Sequence, residues 1–489
     1  MIRNAAAIMA LAALASAAGA AGTGIVVGIQ LEPPSLDPTS EAAAATDEVV
    51  YANIYEGLTR FGPQGEILPG LAESWEIAPD GLSYTFTLRP GVTFHNGQTL
   101  TADDVVFSFD RAMADGSLNA QKALFDPILE VAANDDLNVE ITLKQPIGAL
   151  PFNLAWGDAV IVDESFGDAE RQVPNGTGPF RFSRWVQGDR IELVRNDAYW
   201  GTPAALETAT FKVIADPTAA FAAMMTGEVH AFPVYPAPEN LAQFEADPRF
   251  RVIVGNTEGE TILAINNRHP ALSDVRVRRA IAHAIDRQAV IDGAMFGYGT
   301  PIGTHFAPHH PAYLDLTGQS LFAPDLSRAL LQEAGTTDLR LTLKLPPPTY
   351  ARRGGEIIAS QLRAVGIDVR IQNIEWAQWL EEVFTNGDFD LTVISHTEPM
   401  DIGIYARDDY YFGHHDAAVQ ALMKGLDFFA DDSDRAVILQ AVQKRIADTY
   451  VNAWLFQLAK TGVADARLEG LWDNAPTQAN DLTAVRWRE

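Results

Sequence analysis

The sequence predicts an α/β fold, on two observations. Short strands and helices alternate regularly in the C-terminal half, and strand-and-turn patterns with a capped helix between them fill the first half. In chain order, Tyr84, Phe86 and Leu88 alternate with polar residues ahead of a Pro90-Gly91 turn and then Val92 and Phe94, which reads as a hairpin with one buried face. A helix starts at Thr101, whose hydroxyl can cap while Asp104 reaches back, with Val105, Phe109 and Met113 at helical spacing. Val139, Ile141 and Leu143 mark a strand, and Phe180 to Trp185, a Gln187-Gly188-Asp189 turn and Ile191 to Val194 mark a second hairpin. From Ser273 or Asp274 a helix puts Val277, Ala280, Ile281, Ala284 and Ile285 on one face and Arg276, Arg278 and Arg279 mostly on the other. A βαβαβ run follows: strand Leu341 to Leu345, a triple-proline break at 346–348, helix Gly355 to Val365, strand Ile367 to Ile371, helix Trp376 to Phe384 and strand Phe389 to Ile394. No repeat, low-complexity tract or long linker interrupts this pattern, so crossing strands are expected to join the domains.

Bulk properties set the compartment and exclude some partners. Arg3 precedes an apolar run from Ala5 to Ala18, and Ala18-Gly19-Ala20 supplies small residues for cleavage, the pattern of a secretory signal peptide over residues 1–20. The run is too short to span a bilayer. With no cysteine in the sequence there is neither a disulfide nor a site for a lipid anchor, so a freely soluble periplasmic protein is expected. Cleavage leaves 469 of the 489 residues, enough for two or three domains. A net charge of -29, from 35 basic and 64 acidic residues, argues against nucleic acid, whose phosphates call for clustered Lys and Arg.

Catalytic signatures are absent: there is no G-x-S-x-G elbow, phosphate-binding loop, H-E-x-x-H helix or cysteine nucleophile. The acidic pairs Asp103/Asp104, Asp408/Asp409 and Asp431/Asp432 read as solvated carboxylates at helix starts and in loops. Two loose histidine sets, His305, His309 and His310 and then His396, His414 and His415, are the best metal candidates. Pro308 and Pro311 break the helix that would align the first set, so no metal site is assigned.

Several long segments carry a resemblance. Leu71 to Glu76, Thr85 to Gly97 and Leu100 to Val105 run together, followed by Gly176-Thr177-Gly178-Pro179-Phe180, Asn196-Asp197-Ala198-Tyr199-Trp200, and Leu272 to Ala280 ending in Ala284-Ile285-Asp286-Arg287. In this order they resemble the peptide/nickel class of solute-binding proteins that serve ABC importers. Each motif alone is ordinary turn or helix chemistry; together they cover nearly the whole mature chain.

The resemblance implies a two-lobed periplasmic binding protein fold with an additional third domain: residues 21–50, 177–265 and 465–489 in a discontinuous lobe I, 51–176 in the extra domain and 266–464 in lobe II. It implies a monomeric receptor, not an enzyme and without a cofactor, that closes on a small-molecule or peptide ligand and presents it to membrane permease subunits. An oligopeptide or peptide-like ligand is expected, with an opine, an oligosaccharide or a nickel chelate as alternatives; a periplasmic enzyme on the same scaffold is the alternative of another class.

In peptide-binding members an acid just after a core strand meets the peptide ammonium, in a stretch resembling W-x-x-D-x-x-D-P. Here the stretch is Ser395 to Asp401, which places Glu398 and Asp401 at the acidic positions and His396 near the usual tryptophan. This departure makes a non-standard ligand possible. Tyr350, Arg352 and Arg353, after the triple proline, are candidates for meeting a carboxylate or a phosphate, and Trp376 and Trp379, close to one helical turn apart, for an aromatic wall.

Overall fold

The computed structural model describes residues 23–40, 43–167, 171–336, 338–397, 401–426 and 432–488. Residues 1–20, expected as a signal peptide, and Glu398 lie outside the described residues. One mixed sheet organises the chain. Its strands run in the order Asp368–Asn373, Arg340–Leu345, Leu391–His396, Phe250–Ile265, Asn452–Asp465, Ala231–Phe232, Gly24–Ile29, Thr208–Val213, Arg190–Arg195 and Phe180–Val186. At one end Arg340–Leu345 pairs in parallel with both its neighbours, and toward the other Gly24–Ile29 does the same. Parallel neighbours need crossover connections, and the helices between them supply these.

The two long strands at the centre, Phe250–Ile265 and Asn452–Asp465, are antiparallel from Phe250 opposite Asp465 to Ala264 opposite Asn452. Their register breaks between Asn256 and Glu260. Apolar side chains bury on both sides of this break, one cluster gathering residues such as Val277, Ile281, Leu343 and Ile358, another Val27, Tyr55, Phe180 and Phe211.

A third cluster takes its buried members from residues 58–161. It lies under a four-stranded antiparallel sheet ordered Ala72–Ile77, Ser83–Leu88, Asn138–Leu143 and Ile128–Asp135, with helix Ala102–Met113 packed on it. The capping box is present: Thr101 donates its backbone N–H to Asp104 Oδ2 at 2.8 Å, and its hydroxyl lies 3.3 Å from the same oxygen. Asp104 also accepts from Glu164 N at 3.3 Å. Asp104→Ala is expected to destabilise the protein by about 1–2 kcal/mol, read from a urea titration, because it uncaps the helix and leaves buried donors unmet.

The hairpin at Pro90-Gly91 does not form. Strand Ser83–Leu88 already has partners on both edges, Ala72–Ile77 and Asn138–Leu143. The turn therefore redirects the chain, sending Val92 and Phe94 into the core while Thr93 makes one bridge to Thr99. The hairpin of Phe180–Val186 with Arg190–Arg195 does form.

Helix Val275–Ala284 buries the expected face, and Asp274 caps it by accepting from Arg276 N. Arg278, expected among the outward residues, is buried. Its guanidinium donates to the carbonyls of Leu272, Ser273, Thr449 and Tyr450, which tie the helix start to the end of a distant helix.

The βαβαβ run is present with its boundaries moved: the second and third strands are Asp368–Asn373 and Leu391–His396, and the second helix is α over Trp376–Trp379 and continues as a π-helix over Leu380–Thr385. Its first helix is Thr349–Ala364, beginning directly after Pro348 instead of at Gly355. Gly355 sits inside the helix because a Cβ there would meet the Leu345 side chain at 2.5 Å, so glycine allows the helix to lie close on its strand. Among the described residues no helix is long and apolar enough to cross a membrane.

Candidate functional site

The three parallel strands Arg340–Leu345, Asp368–Asn373 and Leu391–His396 end at one edge of the sheet. Leu345 lies opposite Asn373, and the third strand runs on to His396. Carboxyl ends of parallel strands are where open α/β sheets hold ligands, since the chain leaves the sheet there in loops and helix starts. Tyr350 and Arg352 follow the first strand, Trp376 and Trp379 the second, and His396 and Asp401 close the third.

Four of these residues join in one chain of contacts. Trp376, 44% exposed, stacks on buried Trp379 with ring centroids 5.2 Å apart and planes 7° apart. The Trp379 indole N–H donates to Thr392 Oγ1 at 3.0 Å, and its ring meets Tyr411 edge-on. Tyr411 in turn stacks on His396, and its hydroxyl lies 3.2 Å from His396 Nε2. His396 Nδ1 is 3.8 Å from Asp401 Oδ2. Tyr350 packs at the edge of the neighbouring core cluster. Arg352 turns to the second strand's end, donating to the Ile374 carbonyl at 3.3 Å and to Glu375 at 3.2 Å.

The loop histidine His305 is 3% exposed and lies between two carboxylates. Its Nδ1 is 3.1 Å from Glu260 Oε1 and its Nε2 is 2.9 Å from Asp401 Oδ1. Burial works to lower the His305 pKa, but Glu260 and Asp401 outweigh it and hold the imidazole up at about 10. Burial, together with the Asp401 charge, pushes Glu260 well above the usual carboxylate range. Burial likewise raises the Tyr411 hydroxyl, with Tyr410, Glu260, Asp401 and Tyr350 adding to the effect.

The two histidine sets thus regroup. His305 and His396 converge on Asp401, whereas the others disperse. His309 pairs with Glu258 at 2.7 Å, His310 stacks on Phe306, His414 is buried, and His415 pairs with Asp408 at the surface. Burial pushes both His310 and His414 down to about 4. A cavity of about 140 Å³ opens beside the break in the central strands, lined by Gln64, Asn256, Glu258, His309, Asn474 and Pro476. It has room for a few waters or one small functional group.

Glu260 was not among the expected site residues. The available signal was an acid heading the apolar run Thr261 to Ile265, where an unpaired charge would be costly. Tyr405 and Tyr410 also surround the site, in a segment whose aromatic run reads as ordinary core.

Residues 66–413 match the family model described as bacterial extracellular solute-binding proteins, family 5 Middle. The chain is 30% identical over 382 residues to the dipeptide-binding protein of Escherichia coli (strain K12), covering 71% of each. It is 32% identical over 408 residues to Di/tripeptide-binding protein 4 of Pseudomonas aeruginosa (strain UCBPP-PA14), covering 76% of this chain and 75% of that one. Among solved structures, NikA from Brucella suis in complex with Fe(III)-EDTA superposes with a TM-score of 0.87 at 25% identity, over 95% of this chain and 100% of that one.

Proposed function

Because the chain belongs to the bacterial extracellular solute-binding proteins of family 5, we propose that it is a periplasmic receptor that captures an oligopeptide or peptide-like solute and delivers it to the permease of an ABC importer. It works as a monomer, exported by the apolar N-terminal segment, and returns its solute chemically unchanged. Its acidic surface suits solubility and not nucleic acid.

The observation that carries this reading is the placement of an acid-and-aromatic wall at the strand ends, beside the paired central strands with their register break at Asn256–Glu260. Residues 21–50, 177–265 and 465–489 act as one lobe, 266–464 as the other, and 51–176 as the added domain. The two lobes close by bending at that break. Solute favours closure because it touches both lobes only in the closed state. Glu398 takes the ammonium group, with Asp401 the second acid of that stretch. Trp376 offers its exposed face to an apolar side chain, and Tyr350 and Arg352 line the carboxylate end.

The test is native mass spectrometry of the protein taken from the periplasm, followed by calorimetric titration with di- to pentapeptides. A peptide that binds and is recovered intact supports the reading. An opine, oligosaccharide or metal chelate in its place would overturn the solute class, and consumption of the solute would overturn the non-catalytic role. Trp376→Ala is expected to weaken binding of a peptide with an apolar side chain about tenfold, which is about 1.4 kcal/mol, while leaving the melting temperature of the free protein nearly unchanged.

A further inference from the structure

One ligand atom each from Glu260, His396 and Asp401 comes within 4.8 Å of the others. The sheet register creates this convergence, since Glu260 on the long central strand lies directly opposite His396, and Asp401 begins the short helix Asp401–Ala406. His305 reaches both carboxylates from a separate loop. Glu260 is 2% exposed, so its carboxylate has little access to solvent.

Buried polar atoms in a native fold are nearly always hydrogen-bonded. Here Glu260 Oε1, His305 Nδ1 and Asp401 Oδ1 make no aligned hydrogen bond among the described residues, although the two carboxylate oxygens lie 3.1 Å and 2.9 Å from the ring nitrogens of His305. These atoms are at ion-pair distance. The carboxylates of Glu260 and Asp401 and the imidazole of His396, with the Tyr410 hydroxyl 3.5 Å from His396 Nδ1, face one another where burial limits solvent, and a cation placed among them meets all three.

We propose that Glu260, His396 and Asp401 bind a first-row divalent metal ion directly, with His305 holding the two carboxylates in place. One imidazole and two carboxylates suit Zn²⁺, Ni²⁺, Co²⁺ or Mn²⁺ better than Mg²⁺ or Ca²⁺, which favour oxygen-only shells. Metal bonds of about 2.0–2.2 Å put neighbouring ligand atoms roughly 3–3.5 Å apart. The 3.8 Å between His396 Nδ1 and Asp401 Oδ2 needs only a small inward shift. Three protein ligands leave coordination positions open for water or for a donor group of the solute. Asp401, with 13% of its side chain exposed, is the ligand nearest solvent.

The experiment is equilibrium dialysis of the chelator-stripped full chain against Zn²⁺, Ni²⁺ and Mn²⁺ separately, with bound metal counted by mass spectrometry. The visible spectrum of the Co²⁺-loaded protein gives a second readout. One ion per chain is expected, and Glu260→Gln and Asp401→Asn should each weaken binding at least about tenfold. His415→Asn, at the surface pair with Asp408, should leave binding unchanged. Should Glu260→Gln fail to fold, by circular dichroism, His396→Gln takes its place and should abolish the Co²⁺ spectrum. Failure of the wild-type chain to retain any of these ions, or retention undiminished in the folded site variants, overturns the proposal.

Discussion

Arg278→Met is expected to destabilise the protein by about 3–5 kcal/mol, measured as a fall in the urea midpoint followed by tryptophan fluorescence. The side chain is buried and its donors serve two distant segments: Nη1 reaches Leu272 O and Ser273 O at 2.8 and 2.9 Å, while Nη2 and Nε reach Thr449 O and Tyr450 O at 2.8 and 3.0 Å. Burial lowers the Arg278 pKa to about 10, with Asp274 opposing the shift, so the group stays charged at neutral pH. Methionine fills similar volume but leaves the carbonyls without those donors, each costing about 1–3 kcal/mol where solvent cannot replace them. Tyr450 adds to the effect, because its backbone sits at φ 47° and needs its surroundings to hold it there. Arg278→Lys should recover only part of the loss, since one ammonium cannot span both segments as the planar fork does.

Gly255→Ala is expected to cost about 2–4 kcal/mol and to weaken solute binding more than tenfold. A Cβ at Gly255 would meet the Asp473 carbonyl oxygen at 1.9 Å, and backbone cannot rotate aside as a side chain can. The segment it would displace is laced to the central strands. Lys460 Nζ donates to Trp472 O at 2.7 Å and Asn474 O at 3.1 Å, and Ala475 N donates to Asn256 O at 2.8 Å. Asn474 and Pro476 line the cavity beside the register break, so moving them alters that cavity. Thermal melts and calorimetry on the variant check both effects. Gly116→Ala, where an added Cβ meets nothing within 4 Å, should stay within about 0.5 kcal/mol of the parent.

The parts of the fold legible in the sequence are those decided within a few neighbouring residues. Thr101 and Asp104 cap a helix wherever that helix packs, and Phe180–Val186 with Arg190–Arg195 share a tight turn, so both appear as read. Pro90-Gly91 carries equally good turn chemistry, but whether a turn makes a hairpin depends on which strands have already taken the edges of Ser83–Leu88. Arg278 looks outward by helical spacing because spacing cannot show that another helix ends against that face. The candidate site divides in the same way. Trp376, Trp379, His396 and Asp401 follow strands that the alternation reveals, and the structure links them. Glu260 and His305 join them from segments about 90 to 140 residues away, through a pairing register that no local pattern encodes.

The strand Asn452–Asp465 lies between Phe250–Ile265 and Ala231–Phe232, and it is the last long strand in the chain. Until it is in place the main sheet has a gap at its centre, whatever the earlier strands have achieved. Closing that gap requires contacts across some 200 residues, which makes folding slow and dependent on the nearly complete polypeptide. Such an order of assembly keeps the N-terminal portion from locking into a finished sheet while the rest is still being synthesised.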